Sequence, residues 1–157
     1  MLLIVWHSRT GASRAMAEAA FEAAQGLAQI MPAAEATSEH LLAAQGYLFA
    51  CPENLGSMSG PMKDLFDRCY YPLLGKVEGR AYATMIAAGS DGHGAQAQLD
   101  RIVTGWRLRR VAEPLIANLA AQTPEEILRA KQVPEQMLKS CRDLGAAMAQ
   151  GIIQGIF

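Results

Sequence analysis

The residues best suited to chemistry are six in a row near the N-terminus, Ser8-Arg9-Thr10-Gly11-Ala12-Ser13. They include three hydroxyls, a cation and a central glycine, and no carboxylate. Before them stands the apolar, β-favouring run Leu2-Leu3-Ile4-Val5-Trp6, and behind them, from Arg14 onward, an alanine-rich run of strong helix formers. A loop between a buried strand and a helix puts unpaired N–H groups and a partial positive charge at the helix start, which suits a phosphate. Ser8, Thr10 and Ser13 add hydroxyl donors, and Gly11 permits close backbone approach. A capped strand-to-helix turn without a ligand would use the same residue types.

Two more segments share this character. Pro52 to Gly60 reads Pro-Glu-Asn-Leu-Gly-Ser-Met-Ser-Gly, and Gly89 to Gly94 reads Gly-Ser-Asp-Gly-His-Gly. Both are loops by composition. They offer backbone groups and small residues, as needed to flank a flat ring.

Alternating strands and helices must position these loops. The strong strands are Leu2–Trp6, Gly46–Pro52 and Ala81–Ala88, each continuously apolar, as a sheet covered on both faces requires. Helical periodicity runs from Met16 through Ala20, Ala23 and Leu27 to Ile30, so the first helix is expected to reach Pro32. Ala33–Ala36 is then a short second strand, and Thr37 caps a brief helical turn over His40–Ala44. Further helices start at Pro61, after Gly94, at Pro124 behind the capping pattern Thr123–Glu126, and near Pro134. Val111–Ala117 reads as a strand interrupted by Pro114. The order 2-1-3-4-5 places strands two and five at the edges, and these are the weak strands here. The expected fold is α/β: a five-stranded parallel sheet with helices on both faces, one domain over 1–157. In such a sheet the three loops meet at the C-terminal strand ends, at the switch point.

Composition narrows the function. Lys plus Arg total 14 and Asp plus Glu 15, so there is no basic excess for nucleic acid. No apolar stretch approaches a membrane span, and the first strand lacks a signal peptide's basic leader. Cys51, Cys69 and Cys141 make neither a metal motif nor a disulfide framework. A reduced, cytoplasmic protein is the simplest expectation.

The three loops carry a resemblance. Ser8-x-Thr10-Gly11 resembles the FMN phosphate loop of flavodoxins. Pro52–Met58, followed by a helix with Phe66 and Asp67, is similar to the second flavin loop of the Trp-repressor-binding-protein-like NAD(P)H:quinone oxidoreductases, with Gly56 and Met58 matching and Asn54, Leu55 and Ser57 departing. His93, Gly94 and Gln96 match that branch's third loop; Ala95 and Ala97 depart. The Pro52-Glu53-Asn54 start is also similar to the NADPH-dependent FMN reductases. The resemblance implies a flavodoxin-like three-layer fold with FMN as cofactor and NAD(P)H as co-substrate. The implied FMN-contacting set is Ser8, Arg9, Thr10, Gly11, Ala12 and Ser13; Pro52, Glu53, Asn54, Leu55 and Gly56; and Gly89, Ser90, Asp91, Gly92 and His93.

The implied activity is an oxidoreductase passing electrons from NAD(P)H to a quinone or similar small acceptor. The alternatives are a flavodoxin-type electron carrier and a flavin-binding module without turnover. The near-neutral charge and a third loop without Tyr or Trp favour the enzyme. His93 is the one candidate for a catalytic hydrogen bond, to flavin or to a quinone oxygen; the other reading is a solvent-facing loop histidine. Arg107, Arg109 and Arg110 are either the cationic end of a helix or a site for the 2′-phosphate of NADPH. The expected partners are a small-molecule donor and acceptor, with neither nucleic acid nor membrane. The apolar tail Gly151–Phe157 must be covered by the chain's own sheet or by a second subunit, as in a homodimer.

Overall fold

The computed structural model describes all residues 1–157. Its elements in chain order are β1 (Leu2–Trp6), α1 (Ala12–Ala23), β2 (Ala28–Pro32), α2 (Ser38–Ala43), β3 (Gly46–Asn54), β4 (Ser57–Met58), α3 (Gly60–Leu73), β5 (Ala81–Ala88), α4 (His93–Gly105), β6 (Arg109–Arg110), β7 (Leu115–Asn118), α5 (Pro124–Leu128) and α6 (Glu135–Ile153).

The parallel sheet runs β2-β1-β3-β5, with β6 and β7 both on the outer edge of β5. Counting β6 and β7 as one broken strand gives the expected 2-1-3-4-5 order. The break contains Pro114, which has no N–H to donate to β5. The sheet is flavodoxin-like, with helices on both faces.

Period-two alternation divides the strand side chains between two cores. Leu3, Val5, Tyr47, Phe49, Cys51, Tyr82 and Ile86 face α2, α3 and α4, where they meet Leu41, Met62, Leu65, Phe66, Leu99 and Trp106. Leu2, Ile4, Leu48, Ala50, Ala83 and Met85 face α1 and α6, where they meet Met16, Ala17, Ala20, Cys141 and Met148. The first layer contains the aromatic series Tyr47, Phe49, Phe66, Trp106, Tyr70, with ring centroids 5.2 to 6.0 Å apart. The second layer is built of small residues. A Cβ at Gly145 of α6 would stand 2.2 Å from the Ala20 carbonyl oxygen of α1, so those two helices pack backbone to backbone.

Two expectations are corrected. The first helix ends at Ala23, and Ala28–Pro32 is the second strand; Ala33–Ala36 is a turn. The reversal sits at Gln25 and Gly26, with φ of 50° and 82°. Leu27 and Ile30 continue the helical spacing by coincidence. Second, Pro52–Gly60 is not wholly loop. β3 continues through Pro52 to Asn54, turns at Leu55 and Gly56, and returns as β4. Both turn residues have positive φ, 53° and 73°, the backbone of a two-residue hairpin. Within one chain the tail is only partly covered. The Phe157 ring lies against Gly151, while Ile153 and Ile156 stay exposed.

Candidate functional site

The C-terminal ends of β1, β3 and β5 open into a cavity of about 320 Å³. Its floor is Ala87 and Ala88 at the end of β5, and its sides are the three predicted loops plus a segment between β7 and α6.

The first loop leaves β1 at His7, whose N–H donates to the Ala50 carbonyl. Ser8 Oγ then accepts the Gly11 N–H at 3.0 Å. Gly11 has φ 99°, a left-handed conformation that costs an L residue roughly 1–2 kcal/mol. It starts α1, which has no side-chain cap and no acidic residue in its first turn. The N–H groups of Thr10, Ala12 and Ser13 have no protein acceptor. Ser13 Oγ is fully buried and is the one buried side-chain polar atom in the structure without a hydrogen-bond partner. Arg9 is exposed and enters none of the ion pairs. Arg14 is committed elsewhere, to Glu18 at 2.7 Å and to the face of Trp6. A buried hydroxyl without a partner is expensive unless something fills the site. Hydroxyl, free N–H groups, positive helix end and unpaired guanidinium together suit the phosphate of FMN.

The second loop is the β3–β4 hairpin. Leu55, at its tip, is fully exposed and lines the cavity. The Glu53 carboxylate points toward α4, accepting the N–H of Gly92 at 2.9 Å and of Ala95 at 3.0 Å. Gln98 Oε1 accepts the Met58 N–H at 2.8 Å. The hairpin is thus docked on the start of α4 by two side chains. The contact is tight: a Cβ at Gly94 would lie 2.2 Å from the Gly56 carbonyl oxygen.

Of the third loop, Gly89 and Ser90 line the cavity and Asp91, Gly92 and His93 do not. Gly92 is the left-handed residue that starts α4, with φ 97°. The two helix starts, Gly11 and Gly92, share one backbone geometry. At α4, Glu53 accepts the N–H of Gly92 and of Ala95; at α1, Ser8 accepts the Gly11 N–H and those of Ala12 and Ser13 are left free.

His93 Nδ1 lies 2.6 Å from Asp91 and both side chains are exposed. The hydrogen bond from His93 holds the Asp91 carboxyl below its usual range. Gln96, which matches the third-loop motif, is buried between Thr84 and Asp100, with hydrogen bonds of 2.6 and 2.9 Å, outside the cavity lining. Gly11 also lies outside the lining; its part is the turn. Apart from Gly11, Asp91, Gly92 and His93, every residue of the implied FMN-contacting set lines the cavity.

Sequence reasoning missed the fourth wall, Leu119, Ala121, Ile127 and Lys131. The Lys131 N–H donates to the Thr10 carbonyl at 2.8 Å, a contact between distant parts of the chain that no local pattern announces. Arg107, Arg109 and Arg110 do not line the cavity. Arg109 and Arg110 pair with the first residues of β5, at the sheet end opposite the cavity. Arg110 meets Asp100 at 3.1 Å and Arg107 meets Glu78 at 3.2 Å.

Two groups, the half-buried His7 and the buried Cys51, stand near the site. His7 Nδ1 lies 2.8 Å from Ser59 Oγ; burial, then the charge of Arg9, lowers its pKa. Burial pushes the Cys51 thiol up to about 12, partly offset by the Ser59 N–H. It is a packed core atom and not a nucleophile.

The family model for NADPH-dependent FMN reductases matches residues 8–121. A protein named flavodoxin from Aquifex aeolicus (strain VF5) is 31% identical over 160 residues, spanning 96% of this chain and 86% of the relative. Among solved structures, a flavodoxin, WrbA-like protein from Agrobacterium tumefaciens superposes with a TM-score of 0.78 at 20% identity, over 98% of this chain and 97% of that one. A flavodoxin from the domain Archaea gives 0.75 at 16% identity, over 96% and 97%. These two likenesses carry the fold.

Proposed function

The chain belongs to the NADPH-dependent FMN reductase family, and we propose that it binds FMN in this cavity and passes electrons from NAD(P)H to a small acceptor such as a quinone. The observation that carries the reading is the partnerless Ser13 hydroxyl, buried beside free helix N–H groups and the unpaired Arg9. It matches the need of a phosphate for several donors and a cation.

The flavin, when bound, supplies the hydride chemistry, and the protein supplies binding, orientation and electrostatics. Ser8 and Gly11 shape the first loop, and Ser13 with the α1 N–H groups holds the phosphate. The hairpin tip, Leu55 and Gly56, and the third-loop residues Gly89 and Ser90 line the cavity where they would flank a bound ring. Glu53 acts behind them by fixing the hairpin to α4. His93, exposed and paired with Asp91, lies outside the cavity lining.

A second reading is an electron carrier, favoured by the relative named flavodoxin. The cavity wall argues for the enzyme. Its lining contains no aromatic side chain, and Leu55, Leu119 and Ile127 are aliphatic. That leaves room for a planar co-substrate to stack on a ring face. FMN-loaded protein is expected to oxidise NADH or NADPH with a benzoquinone as acceptor, following ping-pong kinetics. Failure with both nicotinamides, with reduction by a flavodoxin reductase instead, would establish the carrier.

A further inference from the structure

The fourth wall of the cavity hangs on one side chain. The Lys131 ammonium donates to the carbonyls of Glu126 at 2.6 Å, Ile127 at 2.9 Å and Arg129 at 2.6 Å. These carbonyls belong to the end of α5, the negative pole that a helix leaves unpaired. An ammonium has three donors, and all three are used, so none remains for a ligand. Lys131 is half-buried and no carboxylate pairs with it. Its backbone N–H meanwhile holds the Thr10 carbonyl of the first loop. The other end of the same segment is tied to the third loop, through Asn118 Nδ2 to the Ser90 carbonyl at 2.7 Å and the Ala121 N–H to the Gly89 carbonyl at 2.9 Å. The segment therefore bridges two loops and brings Leu119, Ala121 and Ile127 to the cavity.

We propose that Lys131 is a positioning residue: by tying off α5 it holds this wall against Thr10 and closes the cavity around a flavin, whether or not that flavin carries a phosphate. The inference rests on the reading of the cavity as a flavin site. Lys131 lies beyond residues 8–121, the span that the family model matches. α5 has five residues, too few to persist unsupported. Without the ammonium the closed form becomes a minor population, and affinity falls by that fraction for any ligand of the cavity.

The test uses the full chain as wild type, Lys131→Met and Lys131→Arg. Amide hydrogen exchange is followed without flavin, and FMN and riboflavin are titrated separately by fluorescence quenching. In Lys131→Met, amides over 122–131 should exchange at least about tenfold faster, and both flavins should lose affinity by one common factor, about tenfold. Arginine keeps the charge and reach, so Lys131→Arg should restore most of both. A loss confined to FMN would make the ammonium a direct phosphate partner and overturn the proposal. So would unchanged affinity for both flavins. If the Met variant does not fold, Lys131→Gln is read by the same criteria. If wild type binds neither flavin, the flavin-site reading fails on its own. The staple is then decided by exchange: faster exchange supports it and unchanged exchange overturns it.

Discussion

The Glu53 carboxylate accepts the backbone N–H of Gly92 at 2.9 Å, and through its second oxygen that of Ala95 at 3.0 Å. One residue of the hairpin thereby fills the start of α4 and sets the distance between the second and third loops. Glu53→Gln removes the charge and turns an NH₂ toward one of the two donors. It should destabilise the fold by about 1–2 kcal/mol, read as a lower urea midpoint. The same variant should loosen the hairpin, seen as faster amide exchange at Met58. An unchanged midpoint would mean that the hairpin docks without this contact.

Ser13→Ala should move two observables in opposite directions. Without ligand, removing a buried hydroxyl that has no partner should raise stability by about 1 kcal/mol. FMN affinity should fall by about 10- to 100-fold, the worth of a hydrogen bond to a charged group. Riboflavin affinity should not change. Denaturation of the flavin-free protein and two fluorescence titrations check all three.

Gly94→Ala places a methyl where the Gly56 carbonyl oxygen stands, 2.2 Å away. Because Gly94 has an ordinary φ, the cost is steric displacement of the hairpin and not backbone strain. About 1–3 kcal/mol of stability should be lost. FMN should still bind through the first loop, with a visible spectrum closer to that of free flavin. A wild-type spectrum in the folded, loaded variant would place the ring away from the hairpin.

His7 gives a pH dependence. Its folded pKa lies below the ordinary 6.5 because burial, and secondarily Arg9, disfavour the imidazolium. Between the folded value and 6.5 the unfolded chain binds the extra proton, so stability falls as pH drops through 6.5. His7→Gln lacks this loss. The stability of wild type relative to His7→Gln should therefore decline between pH 7.5 and 5.5. A difference that stays constant with pH would show that His7 titrates normally in the fold.

The cysteines should be inert in the native state. Cys51, Cys69 and Cys141 are all buried, with thiols pushed up in each case, to about 12 for Cys51 and about 11 for Cys141. Iodoacetamide at pH 8 should leave the folded protein unmodified and alkylate all three after denaturation. Mass spectrometry counts the adducts.

The legible parts of this fold are those set by local chemistry. Continuous apolar runs mark β1, β3 and β5, and Thr123–Glu126 writes the start of α5 in four residues. The first loop is legible for the same reason, since hydroxyls and a glycine sit between a strand and a helix. What was misread depends on single turn residues. Gly26 ends α1, but Leu27 and Ile30 keep a helical spacing while belonging to the turn and to β2. Leu55 and Gly56 turn a hairpin, but Leu is not a residue that announces a left-handed backbone. The contacts of the Glu53 carboxylate and of the Lys131 backbone N–H are illegible for another reason. Their partners, Ala95 and Thr10, are brought near only by the finished sheet.

The most direct test of the account is parallel titration of the wild-type, flavin-free protein with FMN and with riboflavin. A phosphate held by Ser13, the α1 N–H groups and Arg9 predicts one equivalent of FMN bound with saturable fluorescence quenching, and riboflavin bound at least about tenfold more weakly. Equal affinity for the two flavins, or binding of neither, would contradict the claim that the first loop is a phosphate site.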